Sequence, residues 1–166
     1  NLFNIYFRRN QREKAENTLN HCLKIAPNNP IVNSNFGRFL LEKGNLEEAK
    51  KYIKKAIVLK PDFWIAYNNL ATLEASTGNL IEAEKLFNKL IEINPNYVQG
   101  YVNLGEIKND LSKLKEAEAL FIKSLEIKRD FVNGFCSLFS FYEKTNNLIK
   151  LKELLRINNG NPIIKN

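Results

Sequence analysis

The stretch GRFLLEKGNLEEAKKYIKKAIVLKP, residues 37–61, returns 34 positions later as ATLEASTGNLIEAEKLFNKLIEINP, residues 71–95. In both copies a small residue comes first, a Gly-Asn pair follows, and a proline comes last. The same spacing extends outward as three columns of identical residues: Ala15, Ala49, Ala83 and Ala117; Leu46, Leu80, Leu114 and Leu148; Pro27, Pro61 and Pro95. A fixed period of this length predicts a solenoid in which each repeat is one helix-turn-helix unit.

This period divides the chain into five segments, which we expect to form a single domain spanning 1–166. They are a partial repeat at 1–29, full repeats at 30–63, 64–97 and 98–131, and an atypical terminal repeat at 132–166. A proline ends a repeat because its ring cannot continue the hydrogen-bond ladder of a helix. Asp62 follows one such proline, and we expect its side chain to cap the next helix. Because no methionine stands at position 1, we also expect a fragment of a longer protein.

Small residues mark where the two helices of a repeat can approach closely. Gly37, Ala71 and Gly105 share one position of the first helix, and the alanine column belongs to the second helix. In the terminal repeat Phe139 and Leu151 replace these small residues. The end units of a solenoid are expected to differ in this way, since one face has no neighbouring repeat. The turn at 112–113, Ser-Lys, also looks weaker than the Gly-Asn turns of the earlier repeats.

The composition limits the classes of partner. A net charge of +7 would suit nucleic acid, but most lysines interleave with glutamates at helical spacing, which is typical of a solvated helix face. We therefore do not expect nucleic acid as the partner. No run of 18 apolar residues is present, so we expect no membrane span. Cys22 and Cys136 lack metal or redox spacing, which predicts two buried, reduced thiols in a reducing compartment, the cytoplasm.

The sequence contains none of the residue patterns that usually indicate an enzyme active site. His21 is the only histidine, and no cysteine, carboxylate or serine stands near it at the spacing of a metal site or a catalytic triad. The glycines stand singly, so no phosphate-binding loop is formed. We expect His21 to be a surface residue, and we predict neither a metal, a cofactor nor an enzymatic activity.

The repeated columns resemble the tetratricopeptide repeat, most closely over 30–131. Each first helix has an aromatic residue, then leucine or phenylalanine, then a small residue; the second helix adds alanine, and proline closes the repeat. Asn33 departs from this pattern because it stands where an aromatic residue is expected. The resemblance implies an all-α fold, a right-handed superhelical solenoid of antiparallel helix pairs, whose first helices line a concave groove. A pentatricopeptide array is the competing repeat family, but its period is normally 35 residues.

An asparagine column runs through the first helices at Asn1, Asn35, Asn69 and Asn103, with Ser137 in the fifth position. A side-chain amide offers both donors and an acceptor, so a row of amides can hold an extended peptide backbone without reading its sequence. The column resembles the asparagine ladder in the repeats of the O-linked N-acetylglucosamine transferase. Asparagine is frequent in this chain, and a chance column is the alternative interpretation.

The neighbouring groove positions complete the predicted peptide-binding site. Besides the asparagine column, we expect it to include Arg38, Asn68, Thr72, Gln99 and Glu106. This set does not match the lysine-rich carboxylate clamp of chaperone-binding members, because Ser34 and Gln99, or Asn68 and Asn133, stand where its lysines would be. Binding of an acidic chaperone terminus is therefore not expected.

These observations predict a non-enzymatic scaffold that holds an extended peptide or partner segment in its concave groove. The partner would be a protein or peptide. Three alternatives stay open: the substrate-recruiting repeat region of a larger enzyme such as a glycosyltransferase, a self-assembling scaffold whose end unit docks on another copy, and non-specific nucleic-acid binding by the basic ends.

Overall fold

A computed structural model of the protein describes residues 11–158. Every regular element in this range is an α-helix, which confirms the predicted all-α helical solenoid. The first and second helices of each repeat alternate along the chain. The bounds are α1 Arg12–Ile25, α2 Pro30–Glu42, α3 Leu46–Leu59, α4 Trp64–Ser76, α5 Leu80–Ile93, α6 Val98–Asp110, α7 Leu114–Ile127, α8 Val132–Lys144 and α9 Leu148–Asn158.

The contacts divide the chain into two compact units, Asn1–Ile93 and Asn94–Asn166. Unit 1 contains α1–α5 and unit 2 contains α6–α9. In unit 1 the pairs α2–α3 and α4–α5 pack closely, and in unit 2 the pair α6–α7 does so. Each unit is described by itself below, and the assignment of a single domain stays a prediction.

The turn inside each repeat has one geometry, although its residues differ. Its first residue has a positive φ in all four repeats: 81° at Gly44, 80° at Gly78, 59° at Ser112 and 52° at Asn146. In each case the next backbone N–H donates to the carbonyl five residues back, for example Lys113 N to Lys108 O at 2.8 Å. Glycine adopts this left-handed conformation without steric cost. The Ser-Lys turn therefore keeps the same structure with a less suitable residue.

A side-chain cap is present at the start of helix α2 and not at the start of α4, where we expected one. The Oδ1 atom of Asn29 accepts from the backbone N–H groups of Ile31 at 2.9 Å and Val32 at 3.2 Å. At the corresponding start of α4 the capping position is Phe63, and no side chain caps the helix. The predicted cap by Asp62 is therefore wrong, because Asp62 lies one residue before the position from which a side chain reaches the first turn.

Asn33 makes the hydrogen bond that a tyrosine makes in a later repeat. Its Nδ2 donates to the carbonyl of Pro27 at 2.9 Å, and also to that of Asn29 at 2.8 Å. Tyr101, two repeats later, donates its hydroxyl to the carbonyl of Pro95 at 3.0 Å. Both bonds span six residues and fasten the first helix to the loop before it. The departure from the aromatic pattern therefore preserves this contact.

The small residues lie where the two helices of a repeat touch. A Cβ added at Gly37 would lie 2.5 Å from Cγ1 of Ile53 and 3.0 Å from the carbonyl oxygen of Ala49. In unit 2 a Cβ on Gly105 would lie 2.6 Å from the ring of Phe121. Both distances are shorter than van der Waals contact, so only glycine fits these two positions. This confirms the predicted role of the small-residue column.

The terminal helix pair packs differently from the others. The alanine column is fully buried at Ala15, Ala49, Ala83 and Ala117, whereas Leu151, which occupies the same position in α9, is only half-buried. Helix α9 also packs less closely on α8 than α7 packs on α6. Leucine and phenylalanine are too large for the close approach that glycine and alanine allow. The last repeat is therefore more open, as expected for an end unit.

The two cysteines are free thiols. Cys22 is half-buried, but Cys136 is exposed on α8, so the prediction of two buried thiols is wrong for Cys136. Across residues 11–158 no helix is long and apolar enough to cross a membrane.

Candidate peptide-binding face

The predicted binding residues within the described range all lie on first helices. Asn35 and Arg38 belong to α2, while Asn68, Asn69 and Thr72 belong to α4. Gln99, Asn103 and Glu106 belong to α6. Within each unit we call the surface formed by these residues the first-helix face; in unit 2 it also includes α8. Asn1 lies outside the described residues.

In unit 1 one asparagine of the column joins two neighbouring first helices. Asn69 is 9% exposed, and its Nδ2 donates to Oγ of Ser34 on α2 at 3.1 Å. Asn35 is half-buried, and its side chain has no hydrogen bond to the described residues. The donors and acceptor of the Asn35 amide are therefore unused by the described residues, whereas the Asn69 amide is partly committed to packing.

Next to Asn69, two further predicted residues have different environments. Thr72 is exposed, and its hydroxyl donates to the backbone carbonyl of Asn68 at 2.9 Å. The Oδ1 atom of Asn68 is buried and accepts no hydrogen bond from the described part of the chain. A buried amide oxygen without a donor is costly, which makes a donor from outside favourable at this position.

In unit 2 the predicted amides bond to one another. Nδ2 of Asn133 on α8 donates to Oε1 of Gln99 at 2.8 Å, and Nε2 of Gln99 donates to Oδ1 of Asn103 at 2.7 Å. Further along the same helices, the hydroxyl of Ser137 donates to a carboxylate oxygen of Glu106 at 3.1 Å. The structure thus brings Gln99, Asn103 and Glu106 together as a polar row between α6 and α8.

The three described asparagines of the column are not equivalent. Asn35 is unengaged by the residues described, Asn69 is bound to Ser34, and Asn103 accepts from Gln99. A uniform ladder of free amides is therefore not what these side chains form. Their role in peptide binding stays a prediction.

A cavity of about 390 Å³ continues the polar row of unit 2. Its polar wall is formed by Glu106, Asn109 and Asp110 from α6 and by Ser137, Ser140 and Lys144 from α8, with the rings of Phe121 and Phe141 also lining it. Our sequence analysis missed Asn109, Asp110, Ser140 and Lys144. Extending the series Asn103, Glu106 by another helical turn would have found Asp110, because residues three and four apart share a helix face.

Away from this face, one carboxylate in each unit lies where a first helix meets the preceding second helix. In unit 1 Glu74 is 2% exposed; it accepts from Nζ of Lys50 at 2.6 Å and from Nδ2 of Asn79 at 2.9 Å. Burial acts to raise the pKa of Glu74, but the hydrogen bonds from Lys50 and Asn79 outweigh it and lower the pKa below its usual range. This ion pair fastens one repeat to the next.

Unit 2 has a related contact with the charges rearranged. Oε1 of Glu118 accepts from the hydroxyl of Tyr142 at 2.7 Å and from Nζ of Lys150 at 2.5 Å. Burial opposes ionisation of Glu118, yet these two donors lower its pKa overall. Burial, followed by the Glu118 carboxylate, raises the pKa of Tyr142. The tyrosine therefore acts as a hydrogen-bond donor.

The described residues contain no group of three or more histidine, cysteine or acidic side chains placed to hold a metal ion. His21 is exposed on α1, as the sequence predicted. The polar row of unit 2 consists of amides, hydroxyls and a carboxylate. Such groups can bind a peptide through hydrogen bonds and a basic side chain through charge.

Family profiles described as Tetratricopeptide repeat match two parts of the chain, residues 6–74 and then residues 65–97 and 98–131. Together these matches span most of the sequence. No curated protein matches it in sequence.

Solved structures share the fold at low sequence identity. A crystal structure of MamA is 21% identical with a TM-score of 0.77, and the alignment covers 94% of each chain. PilF of Pseudomonas aeruginosa is 18% identical with a TM-score of 0.84, covering 92% of this chain and 70% of that one. The first tetratricopeptide domain of Spaghetti (RPAP3), bound to the HSP90 peptide SRMEEVD, is 20% identical with a TM-score of 0.66, covering 70% of this chain and 93% of that one.

Proposed function

Because this chain belongs to the tetratricopeptide repeat family, whose members are protein-interaction modules, we propose that it is a non-enzymatic scaffold that binds an extended segment of a protein partner on its first-helix face. The observation that carries this proposal is the polar row of Gln99, Asn103 and Glu106 beside an open cavity in unit 2. An extended backbone has donors and acceptors that need partners, and side-chain amides supply both.

The side chains of this face also favour one kind of segment. Glu106 and Asp110 place two carboxylates at the cavity, against one lysine, Lys144. The clamp positions hold Ser34, Asn68, Gln99 and Asn133 in place of lysine. An acidic peptide such as the one bound to Spaghetti would meet like charge at the cavity. We therefore propose a neutral or basic segment as the ligand.

The two free thiols, Cys22 and Cys136, support a reducing compartment, and we propose the cytoplasm as the location. Disulfides are rare there, so an exposed cysteine such as Cys136 stays reduced.

Selection of displayed random peptides on the whole chain tests the proposal, followed by calorimetric titration of the selected sequences. We expect Gln99→Ala with Asn103→Ala, both in the polar row, to weaken binding about thirtyfold, since each amide contributes roughly 1 kcal/mol through hydrogen bonds. Asn88→Ala is the matched control, because Asn88 is exposed on the second helix α5 and bonds only within its own helix. Selected peptides that bind the double variant as tightly as the wild type would move the site off the first-helix face.

A further inference from the structure

A second cavity, of about 520 Å³, lies on the other side of unit 2, between the second helices α7 and α9. We call it the second-helix cleft. Its apolar lining consists of Ile122 and Leu125 from α7, Leu138 from α8 and Leu154 from α9. It shares no residue with the cavity of the first-helix face. An occupant of this cleft would therefore leave the proposed peptide-binding residues free.

The same place in unit 1 is charged. A cavity of about 560 Å³ there is lined by Lys50, Lys54, Glu74 and Glu82, each 68 positions before Glu118, Ile122, Tyr142 and Lys150 of the second-helix cleft. Where unit 1 has Lys54, unit 2 has Ile122 at the equivalent position. The repeat architecture thus provides a depression in both units. The one in unit 1 also includes Leu80 and Ile81 but is lined mainly by polar and charged groups, whereas the walls of the one in unit 2 are mainly apolar. Apolar surface that the fold does not require is a sign of an interaction site.

The apolar surface continues beyond the cleft on α9. Ile122 is 38% exposed, and Ile149 on α9 is 74% exposed. Ile149 stands one helical turn before Glu153, so both side chains share one side of the helix. The loose packing of α9 on α8 keeps this surface open.

Two opposite charges on the walls of the cleft have no partner within the described part of the chain. Arg129, just after α7, and Glu153, on α9, are both exposed and form no ion pair or hydrogen bond with any residue from 11 to 158. The other charges are satisfied, since Glu118 binds Lys150 at 2.5 Å and Glu126 binds Lys123 at 2.9 Å. Among residues 11–158, the cleft therefore offers one cation and one anion without an ion pair, Arg129 next to α7 and Glu153 on α9, beside an apolar centre.

We propose that this cleft is the self-association surface of the chain, and that its occupant is the same face of a second copy related by a two-fold axis. In such an interface a residue i contacts j of the partner, and j contacts i. Arg129 of each copy pairs with Glu153 of the other, while Ile122 and Ile149 form the apolar centre. A surface that carries one positive and one negative charge can pair both charges with a second copy of itself. A ligand with charge of only one sign would pair with only one of the two.

Sedimentation velocity of the whole chain over a concentration series tests this proposal. We expect the wild type to reach about twice the 19.2 kDa of one chain. Arg129→Glu or Glu153→Arg alone places like charges together at both symmetric contacts, and each should weaken dimerisation at least about tenfold. The combined variant restores opposite charges and should return the dissociation constant to within about threefold of the wild type.

A second pair of variants tests the apolar centre independently of charge. Ile122→Asp should weaken dimerisation by more than about tenfold, because it buries a carboxylate in the interface. Ile81→Asp on α5 is the matched control, since Ile81 is 57% exposed and lies outside the cleft, and it should leave dimerisation unchanged. A wild type that stays at 19.2 kDa at every concentration overturns the proposal. So does a dimer that tolerates both single charge reversals.

Discussion

At several equivalent positions of the repeats, the same contact is made by different residue types. Asn33 and Tyr101 reach the same carbonyl position from side chains of very different size. Ser112 and Asn146 adopt the left-handed turn conformation that Gly44 and Gly78 adopt in earlier repeats. The backbone geometry of the repeat is therefore more strictly maintained than its residues, since packing of the two helices determines where the turn must lie.

Gly37 should tolerate an added methyl group poorly. We expect Gly37→Ala to lower the free energy of unfolding by about 1–2 kcal/mol, because the new Cβ overlaps the buried Ile53 side chain and the Ala49 carbonyl. That cost exceeds the gain of up to about 1 kcal/mol from replacing glycine in a helix. Urea denaturation followed by circular dichroism measures the difference. Equal stability would mean that α2 and α3 can separate at no cost.

At the scale of helices, the elements and their pairing could be predicted from the sequence. The period, the small-residue column and the closing prolines act through local geometry and helix-helix contact, and these determine each helix pair. The hydrogen-bond partner of each side-chain amide could not be predicted in the same way. The bond from Asn69 to Ser34, or from Gln99 to Asn103, depends on where a neighbouring side chain points, which residue type and spacing do not specify.

The contact between α3 and α4 should give the fold a dependence on acid pH. The pKa of Glu74 lies below its ordinary value of 4.5 in the folded chain, so its carboxylate stabilises the fold above that pH, and this contribution disappears as the pH falls through the folded-state pKa. We expect Glu74→Gln to cost about 1–3 kcal/mol at neutral pH and to flatten the loss of stability on acidification.

Thermal unfolding of the two forms at a series of pH values below neutrality checks this prediction. Glu92→Gln is the control, because Glu92 forms an exposed surface pair with Lys89, and such pairs contribute little. Parallel pH profiles for wild type and Glu74→Gln would contradict a linked carboxylate at this junction.

At the scale of the whole molecule, stability should decline toward the end of the solenoid. Helix α9 lacks the small-residue contact and packs loosely on α8, and repeats at the end of an array have a neighbour on one side only. We expect backbone amides of Leu148–Asn158 to exchange with deuterium faster than those of Leu114–Ile127, with mass spectrometry as the measurement at a dilution that keeps the chain monomeric. Equal protection of the two helices would show that the terminal repeat folds with the rest.

The atypical end was visible in the sequence as Phe139 and Leu151, but its consequence was not. An apolar cleft beside Ile122 arises only once α9 is placed at its actual distance from α7, and the substitutions alone do not specify that distance. For the same reason, the candidate peptide-binding face was predicted on the first helices without its cavity being foreseen.

Two contacts between successive repeats, Lys50 with Glu74 and Glu118 with Tyr142, also restrict the order in which the repeats can follow one another. Lys50 and Glu118 occupy equivalent places on their second helices, as do Glu74 and Tyr142 on the helices that follow. A gene rearrangement, or a graft made in the laboratory, that joined the helix bearing Glu118 directly to the helix bearing Glu74 would enclose two carboxylates in one junction. Although the chain is built from copies of one repeat, these copies are therefore not interchangeable.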